Sequence, residues 1–155
     1  MVGVIMIDFI TIVQNILQEQ GRTVEDLFKE NVISKNTFYK YRNRNPNLQT
    51  LIKIANYLKV SVDYMYEISD KNNFIPYSKD QSLFYEKLVN LIKASKISIR
   101  QFCKDLHYAK DNVIRYKKGV EPSIRTLFEI SQYFDCSIDD LLTKENTGEF
   151  DDKKL

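Results

Sequence analysis

The chain contains an internal repeat, because a segment near residues 9–68 can be aligned with a segment near residues 84–143. Corresponding residues lie 75 positions apart up to Tyr41 and 76 apart from Pro46 onward, which places the one inserted residue in the turn that contains Gly119. Loops accept added residues more readily than packed helices do. Apolar residues align with apolar residues at helical spacing in both copies. The repeat therefore predicts two copies of one small helical fold.

Each copy is predicted to contain five helices. The first helix, near residues 8–20, has one apolar stripe at helical spacing, formed by Phe9, Ile12, Val13, Ile16 and Leu17. Its copy lies near residues 81–95. Two short helices follow, separated by a three-residue turn, and the second of them turns Thr37 and Phe38 inward. In the second copy, Ser98 and Gln101 have the spacing of a capping box. A fourth helix follows a proline, and a fifth starts at Ser61 or Ser137. The fold class is therefore all-α, with two tandem five-helix domains.

The repeat also predicts where the domains and their connections lie. Residues 1–68 form the first domain, with its core in 8–68, and residues 81–144 form the second. Residues 69–80 link them, and the polar tail 145–155 is expected to be disordered. The second half of the linker carries Phe74, Ile75 and Tyr77, which are poorly suited to a free tether, so this half is expected to dock on a repeat.

Composition is typical of a globular protein in water. The sequence is 43% hydrophobic and 28% charged, and none of its apolar runs reaches the length of about 18 residues that a membrane span needs. We expect a cytoplasmic protein without a membrane partner. The apolar segment 1–7 is too short for a secretory signal. It is interpreted as an upstream start or, alternatively, as a short arm that packs on a partner.

The cysteines and the single histidine argue against a metal site and against a catalytic site. Cys103 and Cys136 align with Phe28 and Val60 of the first copy, so both cysteines are expected to be packing residues. His107 is the only histidine. This set supplies neither a zinc site nor a Cys–His catalytic pair. The four glycines do not form a phosphate-binding loop. The sequence predicts no cofactor, no metal and no enzymatic activity.

Basic residues are concentrated at matching places in the two copies, although the net charge is only +2. Residues 35–44 contain four basic residues and no acid, and residues 110–118 contain four basic residues and one acid, Asp111. A single run of this kind is usually only a solvated surface. Two runs at matching places favour a polyanionic ligand.

In this order and spacing the motifs resemble the Cro and phage-repressor type helix-turn-helix proteins, also called the xenobiotic-response-element or lambda-repressor-like family. Residues 23–27 and 98–102 resemble the second helix of that family, and residues 34–38 and 109–113 resemble the start of its recognition helix. Residues 46–51 with 60–63, and 122–127 with 136–139, resemble its fourth and fifth helices. The resemblance covers both copies. It implies sequence-specific binding of double-stranded DNA and a transcriptional regulator, expected to be a repressor.

The resemblance also implies a role for individual residues. The N-terminal part of the recognition helix meets base edges in the major groove, and flanking residues hold phosphates. The base-facing positions are Lys35, Asn36, Tyr39, Lys40, Lys110, Asp111, Asn112, Ile114 and Arg115. The phosphate positions are Arg42, Arg44, Lys117 and Lys118. Tyr41 and Tyr116 are expected to be packing residues.

The chain departs from the family pattern at two pairs of positions. Val24 and Ile99 stand where the family often has a glutamine, and Arg42 and Lys117 stand where it often has a glutamate. A polar brace is thus missing, and positive charge is added. In the second copy Asp111 and Ile114 make the recognition face less suited to DNA than that of the first copy. Two unlike readers would need two unlike half-sites.

A second interpretation stays open. The chain could be a protein-interaction module of helix-turn-helix ancestry that binds a protein partner through one or both recognition faces. One chain could supply both readers for two adjacent half-sites, whereas a homodimer would carry four. The sequence leaves open whether such a homodimer forms.

Overall fold

A computed structural model of the protein describes residues 8–145, and within that range the chain is helical throughout its regular structure. The first repeat contains α1 (Phe9–Glu19), α2 (Val24–Lys29), α3 (Lys35–Tyr39), a 3₁₀ turn (Lys40–Arg42), α4 (Leu48–Leu58) and α5 (Val62–Met65). The second contains α6 (Phe84–Ala94), α7 (Ile99–Asp105), α8 (Asn112–Lys117), α9 (Ile124–Phe134) and a 3₁₀ turn (Asp139–Leu141). The predicted all-α class with two tandem helix-turn-helix domains is confirmed. The predicted segment 1–7 and most of the predicted tail lie outside the described residues.

Matching side chains begin the helices of the two repeats. Asn47 and Ser123, which correspond in the repeat, accept hydrogen bonds from the amides of the residues three positions later, at 2.8 and 3.1 Å. These caps satisfy amides that the first turn of a helix leaves unpaired. Lys59 and Asp135 end α4 and α9 in the left-handed conformation, with φ of +56° and +54°. The repeat in the sequence is therefore a repeat of local structure.

Both repeats contribute fully buried side chains to one apolar cluster. In the first, Val13, Phe38, Leu51 and Ile54 are fully buried, and in the second, Leu88, Phe102, Leu127 and Ile130 are fully buried. Full burial of one such side chain stabilises the fold by roughly 1.5–3 kcal/mol. Cys103 is buried and Cys136 is half-buried, and both are free thiols. Their positions agree with the predicted role in packing.

Three local predictions are wrong. Gln101 does not complete a capping box, because its side chain donates to Asp105 at 2.5 Å, while Ser98 alone accepts the Gln101 amide. The last helical segment of the second repeat is a 3₁₀ turn rather than a copy of α5. Thr37 is half-exposed and bonds to the Ser34 hydroxyl at 2.8 Å instead of entering the core.

The linker docks through two of its three large apolar side chains. Tyr77 is fully buried and Phe74 is half-buried, whereas Ile75 is 47% exposed, so the docking prediction is wrong for Ile75. The chain that follows the second repeat returns to the linker. Ser78 donates its amide to the Thr143 carbonyl at 2.9 Å, and Tyr77 and Lys144 form an isolated antiparallel bridge. The linker is thus held by both repeats.

Candidate nucleic-acid interface

The first recognition segment, residues 35–44, is anchored by two aromatic side chains on its inner side. Phe38 is fully buried and meets the Phe28 ring edge-on at 5.9 Å between centroids. Tyr41 is 8% exposed and meets the Phe9 ring edge-on, also at 5.9 Å. Edge-on aromatic pairs are favourable beyond their buried area. The predicted role of Tyr41 in packing agrees with these contacts, which fix the segment on α1 and α2.

The outer side of this segment is basic. Its exposed residues are Lys35, Asn36, Lys40, Arg42, Asn43 and Arg44. Tyr39 is half-buried, with its ring 5.2 Å from that of Phe38. The Arg42 guanidinium lies 5.3 Å from the Tyr39 ring centroid, within the range of a cation–π contact. A residue assigned to bases and a residue assigned to phosphate therefore touch each other.

The second recognition segment, residues 110–118, is anchored in the same way. Val113 is buried, and Tyr116 is 9% exposed and meets the Phe84 ring edge-on at 5.0 Å. Burial raises the pKa of Tyr116. The exposed residues of this segment are Lys110, Asp111, Ile114, Arg115, Lys117 and Lys118. Four of those six side chains are basic, which leaves a positive outer surface on this copy too.

The two segments differ at their N-terminal ends. Ser34 accepts the Thr37 amide at 3.2 Å and starts α3 at residue 35. The corresponding residue of the second copy is Ala109, which has no side-chain acceptor, and α8 starts only at Asn112. The prediction that the second recognition helix includes Lys110 and Asp111 is therefore wrong, since both lie in the turn before it.

Asn112 is less exposed than the other residues assigned to bases in this segment. Its side chain is half-buried, and its Oδ1 atom is buried without a hydrogen-bond partner among the described residues. A side chain in this position is less accessible to a base edge than the exposed Arg115. Ile114, one residue before Arg115, is 51% exposed.

The turns that follow both recognition segments face each other across a cleft. Arg44, Pro46 and Asn47 line it from the first repeat, and Glu121 and Ser123 line it from the second. Both recognition segments therefore end beside the contact between the repeats.

Comparison with known families gives two matches. The Cro/C1-type helix-turn-helix DNA-binding domain matches residues 13–70 and again residues 87–146. The chain belongs to this family. Comparison with curated proteins and with solved structures found no match. Membership of the Cro/C1-type family supports a DNA-binding transcriptional regulator, and it confirms the resemblance found in the sequence. Double-stranded DNA is accordingly the partner that the family supports.

The two Cro/C1-type copies expose different apolar residues. Val24 is half-buried against the core of the first copy, whereas its counterpart Ile99 is 39% exposed. Ile114 and Val120 are also exposed in the second copy, Val120 by 45%. The second outer surface is therefore both basic and partly apolar.

Between residues 8 and 145, no group of three or more His, Cys, Asp or Glu side chains is placed to hold a metal ion. Over the same range, no helix is long and apolar enough to cross a membrane.

The sequence did not reveal the residues that join the two copies. Asp63 and Asp139 correspond in the repeat and lie outside the basic segments, yet both take part in the contact between repeats. Tyr77 joins them from the linker. The sequence did give one signal, since both copies carry an aspartate at this position.

Proposed function

We propose that the protein is a sequence-specific transcriptional repressor that binds double-stranded DNA through two unlike helix-turn-helix readers. The observation that carries the proposal is the pair of exposed basic segments, each anchored from behind by a buried tyrosine, Tyr41 or Tyr116. Anchored cationic side chains on an exposed helix suit a major groove and its phosphates. Repression follows from occupying a promoter, and the protein would act in the cytoplasm with its DNA.

The proposed roles divide each segment. In the first, Lys35 and Asn36 in the first turn of α3 and Lys40 directly after α3 meet base edges, because all three are exposed. A good bidentate contact to a base is worth roughly 1–3 kcal/mol of discrimination. Arg44 is the last residue of the segment and holds phosphate. Arg42 also holds phosphate, with Tyr39 beneath its guanidinium acting to orient it.

In the second segment the base-facing role falls mainly on residues of α8 itself. Arg115 and Ile114 are exposed there, and Lys117 and Lys118 follow as phosphate contacts. Lys110, Asp111 and Asn112 remain proposed contacts, but the first two approach DNA from the turn before the helix. The two readers are therefore expected to select different half-sites.

The experiment is selection of binding sites from random double-stranded DNA with the full chain, followed by titration at several salt concentrations. We expect one enriched site and a dissociation constant that rises steeply with salt. Lys35→Ala with Lys40→Ala should change the preferred bases, because these side chains are assigned to base edges. Binding without sequence preference, or binding that salt does not change, would contradict the proposal.

A second variant separates phosphate contacts from base contacts. Arg44→Ala should weaken binding to all sequences alike and reduce the slope of log affinity against log salt by about 1. Lys53→Ala is the matched control, since Lys53 is exposed on α4 outside both basic segments. Arg44 is preferred to Arg42 for this test because Arg42 also touches Tyr39.

A second candidate function is favoured by the apolar side chains of the second copy. Ile99, Ile114 and Val120 are exposed large hydrophobic residues on or beside its helix-turn-helix, and contiguous patches of exposed apolar residues mark protein-interaction sites. In this alternative the second reader binds a protein partner while the first binds DNA. The alternative would be favoured if the selected DNA contained a single half-site and if substitutions in residues 110–118 left DNA affinity unchanged.

A further inference from the structure

We propose that one chain by itself occupies a complete operator of two half-sites at a single permitted spacing, because the two repeats hold each other in a fixed relative position. This inference rests on the proposed DNA-binding function and adds to it the stoichiometry and the geometry of the site. Three separate contacts between the repeats carry it.

The first contact is a carboxylate of one repeat that binds the backbone of the other. Asp63 is only 5% exposed. Its Oδ1 atom accepts the Ile138 amide at 3.0 Å, and its Oδ2 atom accepts the Asp139 amide at 2.9 Å. Because two atoms of one side chain are held by two successive amides, the contact restrains rotation of the repeats as well as their separation.

The second contact passes through the linker. Tyr77 is fully buried, and its hydroxyl group accepts the Val62 amide of the first repeat at 2.8 Å and donates to the Asp139 carboxylate of the second. The Asn56 side chain pairs with both backbone groups of Tyr77, at 2.8 and 3.0 Å. Lys144 binds the same Asp139 carboxylate at 2.9 Å. The linker is therefore a structural part of the contact and not a free tether.

The third contact lies beside the recognition segments. Gln49, in the first turn of α4, donates to the Glu121 carboxylate at 2.5 Å and to the Lys79 carbonyl at 3.1 Å. Glu121 precedes α9 and lines the cleft into which both recognition segments end. This contact is exposed and weaker than the buried ones, but it restrains the repeats at the side that would face DNA.

The contact has approximate two-fold symmetry, which limits what a second chain can do. Val62 and Asp63 correspond to Ile138 and Asp139 in the repeat, and each pair lies against the other. A contact in which both partners use the same surface is closed, since no copy of that surface remains free. A second chain therefore cannot use this surface, and the two repeats of one chain replace the two subunits of a dimer.

A fixed relative position has a consequence for the DNA. Half-sites read by paired helix-turn-helix motifs lie about one helical turn, 34–36 Å, apart. Each added base pair rotates the second half-site by roughly a tenth of a turn. Two repeats on a flexible linker could follow the rotated half-site, whereas repeats held together by three contacts cannot. When only one of the two repeats can bind its half-site, the overall affinity for DNA falls on the order of 100-fold.

The test is a spacing series on the selected operator, with base pairs inserted or deleted between the half-sites and the full wild-type chain titrated onto each duplex. We expect a complex of one chain with one duplex by analytical ultracentrifugation. We also expect the affinity to fall on the order of 100-fold with five inserted base pairs, to that of a single half-site. Equal affinity at all spacings, or two chains on one operator, would overturn the inference while leaving DNA binding intact. A failure to select any sequence would instead refute the proposed function.

A conservative substitution tests the part played by the contact itself. Tyr77→Phe removes only the hydroxyl group that joins Val62 to Asp139. We expect it to reduce the penalty for inserted base pairs at least threefold and to leave binding to the isolated first half-site unchanged. Tyr64→Phe is the matched control, because its hydroxyl contacts Glu19 within the same repeat. An unchanged spacing penalty in Tyr77→Phe would contradict the proposed role of the hydroxyl.

Discussion

Asp63 and Asp139 occupy corresponding positions in the two repeats, and both serve the contact between the repeats. Asp63 accepts two backbone amides of the second repeat directly. Asp139 instead accepts the Tyr77 hydroxyl, which in turn accepts an amide of the first repeat. Tyr77 therefore connects Asp139 to the first repeat, whereas Asp63 contacts the second repeat directly. A duplicated residue has acquired two different geometries within one contact.

Removal of the Tyr77 hydroxyl should destabilise the folded chain. In Tyr77→Phe the buried Val62 amide loses its acceptor and Asp139 loses a donor. An unpaired buried polar group lowers the unfolding free energy by about 1–3 kcal/mol. The urea concentration at the unfolding midpoint should therefore be lower in the variant than in wild type. Tyr64→Phe, whose hydroxyl makes a longer and more exposed contact, should change it much less. Equal midpoints for the two variants would contradict this account.

The stability contributed by Asp63 should depend on pH. Burial raises the pKa of Asp63, and the neighbouring Asp139 and Asp140 carboxylates raise it further, although the Ile138 and Asp139 amides act in the opposite direction. Because the folded pKa lies above the unfolded value, the folded state binds the proton more tightly. This contribution is therefore fully present at low pH and is lost as pH rises through the raised pKa.

The measurement compares wild type with Asp63→Asn. The amide of the variant can accept only one of the two backbone hydrogen bonds, so the variant should be less stable throughout. The difference in unfolding free energy between the two proteins should shrink as pH rises from about 4 to about 7. Asp70→Asn, at an exposed position, is the control. A difference that grows with pH would show that the sign assigned here is wrong.

The hydroxyl of Ser34 should set the start of the first recognition helix. It accepts the Thr37 amide at 3.2 Å, and the second copy has Ala109 at this place. Ser34→Ala should lower the unfolding free energy by about 1 kcal/mol, the usual cost of losing an N-cap. Ser34→Thr keeps a hydroxyl and should retain most of that stability. Calorimetry of the three proteins would decide, and equal losses in both variants would exclude the cap as the cause.

The helices and the anchors could be predicted because their causes are local. Apolar spacing located α1, α4, α6 and α9, and alignment of the two copies identified Tyr41 and Tyr116 as packing residues. The start of α8 was missed because the alignment carried over a helix start from Ser34, whereas Ala109 cannot accept the amides of a first turn. The absence of an N-cap side chain affects a single residue of one copy, so the alignment of the two copies did not reveal it.

The contact between the repeats could not be predicted, because it joins residues far apart in sequence. Asp63 binds amides 75 and 76 residues away, and Tyr77 bonds to Asp139 across 62 residues. Backbone amides have no residue identity, so nothing in the sequence marks them as partners. Apolar residues in the linker indicated docking, but they did not distinguish buried Tyr77 from exposed Ile75.

Ile114 is the residue in which the two readers differ most. It is 51% exposed on α8, where the first copy has the half-buried Tyr39. An aliphatic side chain cannot form hydrogen bonds with base edges. In the major groove it can contact the 5-methyl group of thymine. If the second reader binds DNA, its half-site should therefore contain a thymine opposite Ile114.

Replacing that thymine with deoxyuridine removes only the methyl group and should weaken wild-type binding about fourfold, as expected for one apolar carbon. Ile114→Ala should bind the two duplexes equally, because it no longer reaches the methyl group. Val120→Ala is the matched control, since Val120 is 45% exposed but lies beyond α8, and it should keep the preference for thymine. Fluorescence polarisation with both duplexes measures the ratio. If no thymine of the second half-site shows a methyl effect in wild type, Ile114 does not face the groove, and the apolar surface of this copy is better explained by a protein partner.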